Sequence, residues 1–233
     1  MSDAPDIVLL AHGSPDPRHA RGVDALARRL RETALARGVH TAYLDHHPPT
    51  PAEVAHQAGR GVVVPVLLTP AYHARVDVPA AVAAMNAVAG PFTDSPALGP
   101  HPLLLDAAAE LLERSGATPS RGTAVVLYAA GSSDSAAVAS IGETLRAHGA
   151  PGEWGPWRVA ALDGGSALPE VLEGLRGEAD SVLAVSFMVA EGMLRDRMAE
   201  HCAAAGVPLV PGALGDTAAA AALVLERADS LRA

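Results

Sequence analysis

Three side chains that can bind a metal or move a proton each fall just beyond an apolar run. His12 follows Asp6–Ala11, Asp45 follows Val39–Leu44, and His73 follows the run from Val62 to Leu68. Neutral imidazole, with a reference pKa of about 6.5, is both a metal ligand and a proton acceptor near neutral pH. Two imidazoles and a carboxylate suit a first-row divalent ion such as iron(II), cobalt(II) or nickel(II), with positions left open for another ligand. Such an open site can pass a metal on, whereas a closed four-ligand cage retains it. Read singly, either histidine is equally a hydrogen-bonded loop residue and Asp45 a helix cap or turn residue. Their joint placement carries the chemical reading.

That placement depends on the elements between them. Each run is short, continuous and apolar, the pattern of a strand buried on both faces of a parallel sheet. Helices are expected over His19–Arg37, where Val23, Leu26, Ala27, Leu30 and Leu35 share a face, then over Pro51–Gly59, Val78–Val88 and Leu103–Arg114. A fourth short strand is expected at Ser95–Leu98, before Gly99-Pro100-His101-Pro102. Strands alternating with helices at this spacing predict right-handed βαβ units and one parallel sheet. The ends of parallel strands share an edge, and ligands bind in the crevice there. His12, Asp45 and His73 are therefore expected to converge.

The second half repeats the first. Ala124–Ser132 lines up with the first strand and its turn, which sets Ala130 opposite His12. Asp163 stands opposite Asp45, Asp196 opposite Asp77 and Leu214 opposite Leu98, at nearly constant separation. The fold class expected is α/β: two similar lobes from internal duplication, each a small parallel sheet flanked by helices, flavodoxin-like or Rossmann-like in plan. The lobes are expected at residues 1–117 and 118–233, joined near Gly116–Gly122, with a cleft between them. The histidines were not kept twice: His12 becomes Ala130, and His73 falls opposite Gly192.

Composition removes several function classes. The net charge is −9, which opposes nonspecific binding to nucleic acid. Every basic residue is arginine, so Schiff-base and P-loop lysine chemistry are excluded. A single cysteine, Cys202, excludes an internal disulfide and a thiolate cluster. No basic leader opens the chain and no apolar run is long enough to span a bilayer, so a cytoplasmic protein without membrane or nucleic-acid partners is expected. Only one glycine follows the first strand, too few for a dinucleotide fingerprint. Phosphoryl transfer through His12 would call for an arginine beside it, and Ala11 stands there.

The motifs Leu9–Arg18 (LLAHGSPDPR), Ala42–Asp45, Leu68–Pro79 (LTPAYHARVDVP) and Leu98–Pro102 give the first half a clear resemblance to the sirohydrochlorin chelatases, the class II chelatase-like family of siroheme and corrin synthesis. The second half resembles the two-lobed members more weakly. The resemblance implies that His12 and His73 hold the metal and that Asp45 takes the place of a family glutamate. It implies insertion of a divalent ion, Fe2+ or Co2+, into a tetrapyrrole of the sirohydrochlorin type, with the metal as substrate and no tightly bound cofactor. The siroheme ferrochelatase step is the first expectation and cobalt insertion for cobalamin the second. A noncatalytic metal or tetrapyrrole carrier is the rival from another class. The ring carries many carboxylates, so arginines are expected to bind it: Arg75 foremost, with Arg18, Arg195, Tyr72 and the Ser14 hydroxyl. Two lobes in one chain make a cleft without a partner, so either a monomer or a homodimer is expected.

Overall fold

The computed structural model describes residues 4–33, 37–69 and 76–231. In the first half β1 (Asp6–Ala11), α1 (Pro17–Thr33), β2 (Val39–Tyr43), α2 (Pro51–Ala58), β3 (Gly61–Pro65), α3 (Asp77–Val88), β4 (Phe92–Asp94) and α4 (Leu103–Arg114) follow one another. The second half brings β5 (Thr123–Gly131), α5 (Ser135–His148), β6 (Trp157–Asp163), α6 (Leu168–Gly174), β7 (Ser181–Phe187) and α7 (Met193–Ala204). A 3-10 turn at Leu214–Asp216 and α8 (Ala218–Asp229) end it. Among the described residues no helix is long and apolar enough to cross a membrane.

All strand pairs are parallel. They form a four-stranded sheet in the order β2-β1-β3-β4 and a three-stranded sheet in the order β6-β5-β7. The strands are apolar because both faces are covered: Ile7 through Leu10 and Val62 through Val64 are buried. The fourth strand lies earlier than expected, at Phe92–Asp94. Residues 95–99 instead run on along the exit of β3 in isolated contacts, with Leu98 N–H donating to Pro65 O at 3.2 Å and Gly99 N–H to Leu67 O at 2.9 Å. The first helix opens at Pro17, the favoured place for proline, and buries Ala20, Val23, Leu26, Ala27 and Leu30 at helical spacing. Arg37 and Gly38 are already outside it, and Leu35 lies outside the described residues. Helix α2 starts on a reciprocal cap: Thr50 Oγ1 accepts from Glu53 N–H at 3.4 Å, and the Glu53 carboxylate accepts from Thr50 N–H at 2.7 Å.

The two sheets share one core. The inner face of the first sheet (Ile7, Leu9, Val62, Val64) and of the second (Val125, Leu127, Val185) belong to the same apolar cluster, filled in between by α1, α4, α5 and α8. The outer faces have separate clusters, under α2 and α3 in the first half and α6 and α7 in the second. The last helix of each half crosses over: α4 packs on β7, and α8 on β3 and α4. Helix α8 is fixed at both ends. Glu110 of α4 accepts from Ala218 N–H at 2.8 Å and Ala219 N–H at 3.3 Å, and Arg227 donates to Ala97 O at 2.9 Å and Leu98 O at 3.3 Å.

Because each half completes its core with a helix from the other, the halves should unfold together. Leu223, fully buried on α8, is expected to cost about 2–5 kcal/mol on substitution by alanine. In urea titrations the far-UV dichroism and the emission of Trp154 and Trp157, both in the second half, should shift to the same lower midpoint. A first transition that leaves the tryptophan signal untouched would show instead that the halves melt separately.

Candidate active site at the sheet edge between the lobes

Register places the first two candidates side by side. Ala11 pairs with Tyr43 at the end of β1 and β2, and the ladder continues past the strands: Leu44 N–H donates to Ala11 O at 3.0 Å and Asp45 N–H to His12 O at 2.9 Å. Gly13 makes this closeness feasible. It sits at φ +95°, and a Cβ there would stand 1.8 Å from the carbonyl oxygen of Asp45. The second half repeats the device, with Gly131 at φ +91° and 1.9 Å from the carbonyl of Asp163. The turns also match: Ser14 Oγ accepts from Asp16 N–H at 3.1 Å, and Ser132 Oγ from Asp134 N–H at 3.0 Å. The frame was therefore copied, while the imidazole at its tip occurs only in the first lobe.

His12 faces two hollows. On one side a cavity of about 190 Å³ lies between the lobes, lined by His12, His19, Leu68 and Thr69 from the first and by Ala130, Phe187 and Met188 from the second. On the other a hollow of about 390 Å³ is bordered by His12, Asp45 and Asp77. The Asp45 carboxylate is two-thirds exposed; it accepts from His46 N–H at 2.7 Å and lies 3.4 Å from His46 Nε2. The His46 ring stands 6.5 Å from that of His12, held by a backbone at φ 64°, the left-handed region unusual for a non-glycine residue. His12 and Asp45 are thus brought together as expected, with His46 beside them. His73, Tyr72 and Arg75 lie outside the described residues. Among the described residues, no group of three or more His, Cys, Asp or Glu is placed to hold a metal.

His19 is a residue the sequence reading passed over. On the first turn of α1 it lines the inter-lobe cavity with His12, and its Nδ1 is buried with no hydrogen-bond partner among the described residues. Burial pushes its pKa below the ordinary imidazole value, and the neighbouring His12 pushes the same way. It is kept as a neutral base. Its ring meets Tyr43 edge-on at 6.5 Å, and Tyr43 in turn meets His47 at 4.8 Å. Burial raises the Tyr43 phenol to about 12, so it stays protonated. The signal available in the sequence was position: a helix starting at the edge where β1 ends turns its first residues toward that edge.

Two expected ring-binding arginines are otherwise engaged. Arg18 grips two carboxylates, Asp16 through Nε at 3.1 Å and Nη2 at 2.6 Å, and Asp196 at the start of α7 through Nη1 at 2.9 Å and Nη2 at 2.5 Å. It ties the lobes together. Arg195, only 15 % exposed, donates to Val210 O at 3.0 Å and Gly212 O at 3.3 Å, within its own lobe. Both guanidinium groups thus have protein partners in this structure. Ser14 spends its lone pair on the turn but keeps its own proton to donate. The same seam carries Gly22, where a Cβ would meet that of Ala190 at 2.5 Å. His101 receives Leu103 N–H at 3.3 Å on Nδ1 and faces Glu226 of α8 at 3.1 Å, so it fastens the crossed-over helix. Exposed large apolar side chains are Met193 and Leu194 at the start of α7 and Val76 just before α3.

The arrangement of two parallel sheets around a shared helical layer is the two-lobed chelatase fold. SirB from Bacillus subtilis, described with Fe3+, superposes with a TM-score of 0.77 at 20 % identity, over 98 % of each chain. The sirohydrochlorin chelatase SirB from Bacillus subtilis subspecies spizizenii, in complex with cobalt, gives 0.69 at 16 % identity, over 97 % of this chain and 94 % of that one. CbiX, described as the terminal enzyme for biosynthesis of siroheme in denitrifying bacteria, gives 0.65 at 19 % identity, over 97 % and 98 %. No curated protein sequence matches. The sequence pattern of the CbiX family matches residues 6–115, so the first half of the chain is similar to that family.

The Arg18 tie generates a pH prediction. Its hydrogen bonds hold the Asp16 carboxyl down to about 2, and that of Asp196 below the ordinary range. Lowered carboxyl pKa values mean stability that is complete above the unfolded value of about 4 and lost as pH falls through the folded one. A double-mutant cycle of Arg18→Gln and Asp196→Asn, read as urea midpoints, should show coupling at pH 7 that shrinks between pH 4 and pH 2 and weakens in high salt. Coupling unchanged at pH 2 would remove the ionic tie.

Proposed function

We propose that this chain inserts a divalent metal into sirohydrochlorin, with His12 and His73 presenting the metal and residues 1–117 carrying the working site. The observation that supports it is His12 at the sheet edge, open to a cleft whose far wall is Ala130, Phe187 and Met188 and offers no competing ligand among the described residues. Metal held from one side only can be delivered to a ring on the other. Residues 118–233 act as a degenerate repeat that supplies this apolar wall.

The chemistry asks for an exchange. The ion enters as M2+, two pyrrole N–H bonds break, and the two protons pass to bases at the site. Neutral imidazole at His12 or His73 and the exposed carboxylate of Asp45 are those bases in this reading. The cavity between the lobes, about 190 Å³, lies below the ~300–1,000 Å³ of pockets that enclose small ligands. The macrocycle therefore lies across the mouth rather than inside the cavity. With Arg18 and Arg195 engaged elsewhere, its carboxylates fall to Arg75, Tyr72 and the Ser14 hydroxyl. Iron(II), for siroheme, is the first assignment, following the descriptions of SirB with Fe3+ and of CbiX as a siroheme enzyme. Cobalt(II) is the second, following the cobalt complex of SirB. One chain completes the cleft, so a monomer suffices.

Sirohydrochlorin incubated with Fe(II) or Co(II) and purified protein, followed by absorbance against a metal-only control, is expected to give many product molecules per chain. His12→Ala and His73→Ala should each lower the rate about 10²-fold or more, and Asp45→Asn less, with circular dichroism unchanged. Product that stops at one equivalent would assign the chain to the carriers, and full rates in both histidine variants would displace the site.

A further inference from the structure

A further cavity lies away from the sheet edge. It measures about 650 Å³ and opens on the outer face of the second lobe, between α6 and α7. The first lobe shows what the fold does with that seam by default. There α2 and α3 pack against each other, and Val54, Ala55, Val82 and Met85 seal the space over Val8 and Leu10. In the second lobe the corresponding helices stand apart. Tyr128 occupies the strand position of Leu10, and the wall of α7 is cut back to Ala204 and Ala205. A repeat that preserved its strands and turns has lost the filling of this one seam.

What the cavity offers is specific. Its walls are apolar, with Leu162, Leu168 and Leu172 prominent, and its polar groups are mostly donors. Tyr128 is 1 % exposed, yet its hydroxyl reaches Nδ1 of His201 at 2.9 Å. Burial pushes the phenol up, so it keeps its proton. When His201 donates from Nδ1, the Tyr128 O–H is left to point at an acceptor in the cavity. At the rim Arg176 uses only Nε, on Glu173 at 3.0 Å, and its Nη groups have no partner among the described residues. Glu173, the one carboxylate of the lining, is held by that pair.

We propose that this cavity is a ligand site, separate from the metal-bearing edge, for a small amphipathic acid: an apolar ring or short chain against the leucines, its carboxylate taken by Arg176 or by the Tyr128–His201 pair. Its size falls within the ~300–1,000 Å³ of ligand pockets, and apolar walls with a few convergent donors are their usual composition. The assignment is independent of the reaction at the cleft.

Anilinonaphthalene sulfonate, an aromatic body with one anionic group, is the probe, titrated into the full chain and followed by fluorescence. One saturable site per chain is expected, displaced by octanoate and not by octanol. Leu172→Trp and Ala204→Leu, which fill the cavity from opposite helices, should each weaken binding about tenfold or more, and Arg176→Ala should weaken it severalfold. Thermal melts at or above the wild-type midpoint will show that the filled variants are folded. Binding unchanged in both filled variants would place the probe elsewhere and overturn the proposal, as would no saturable binding at all. Displacement by octanol as readily as by octanoate would overturn the acidic ligand.

Discussion

The molecule depends on a backbone contact. Parallel strands β1 and β2 end together, and the ladder runs on until the carbonyl of His12 meets the N–H of Asp45. Only a residue without a Cβ fits at position 13. The two candidate site residues are thereby placed by main chain rather than by side-chain packing. That is the physical sense in which an α/β sheet edge makes a site: the hydrogen-bond register does the positioning, and the loops choose the chemistry. The same contact at Gly131 and Asp163, with an alanine where the imidazole would be, shows positioning and chemistry separating after duplication.

Crossing over of the terminal helices gives that edge a second wall. With α4 against β7 and α8 against β3, the inner faces of both sheets close on one apolar cluster. The lobes are not beads on a linker; their relative placement is set by core packing and by the fastening of α8 at Glu110, Arg227 and His101. Arg18 adds an ionic tie near the cleft, partly exposed and hence weaker than the packed seam behind it. A stiff back and a weaker front suit a cleft that has to admit a flat ring.

Much of this was legible in the sequence because it follows from local rules. Continuous apolar runs gave the strands, helical spacing in α1 gave its buried face, and matching glycines, serines and aspartates exposed the duplication. The adjacency of His12 and Asp45 followed from parallel register. What was not legible depends on tertiary partners. Arg18 and Arg195 read as cations awaiting an anionic substrate, since the sequence does not show that Asp196, or the carbonyls of Val210 and Gly212, will arrive beside them. His19 drew no reading because its place in the cavity depends on residues of the second lobe, Ala130, Phe187 and Met188, that line it from the other side. The fourth strand lies at Phe92–Asp94, where only Phe92 is apolar and buried, because β3 offers a pairing edge from Gly61 to Val63.

Charge shows why these reassignments matter to the site. A chain of net −9 repels a polycarboxylate at a distance, and only nearby cations reverse that within a Debye length of about 8–10 Å. Bound to Asp16 and Asp196, Arg18 is neutralised and serves the frame instead. On the function proposed above, the remaining attraction falls to Arg75, in the sequence segment that would also supply His73. On that proposal a single sequence segment would serve both ring orientation and metal delivery, a coupling that an arginine tied across the lobes does not offer.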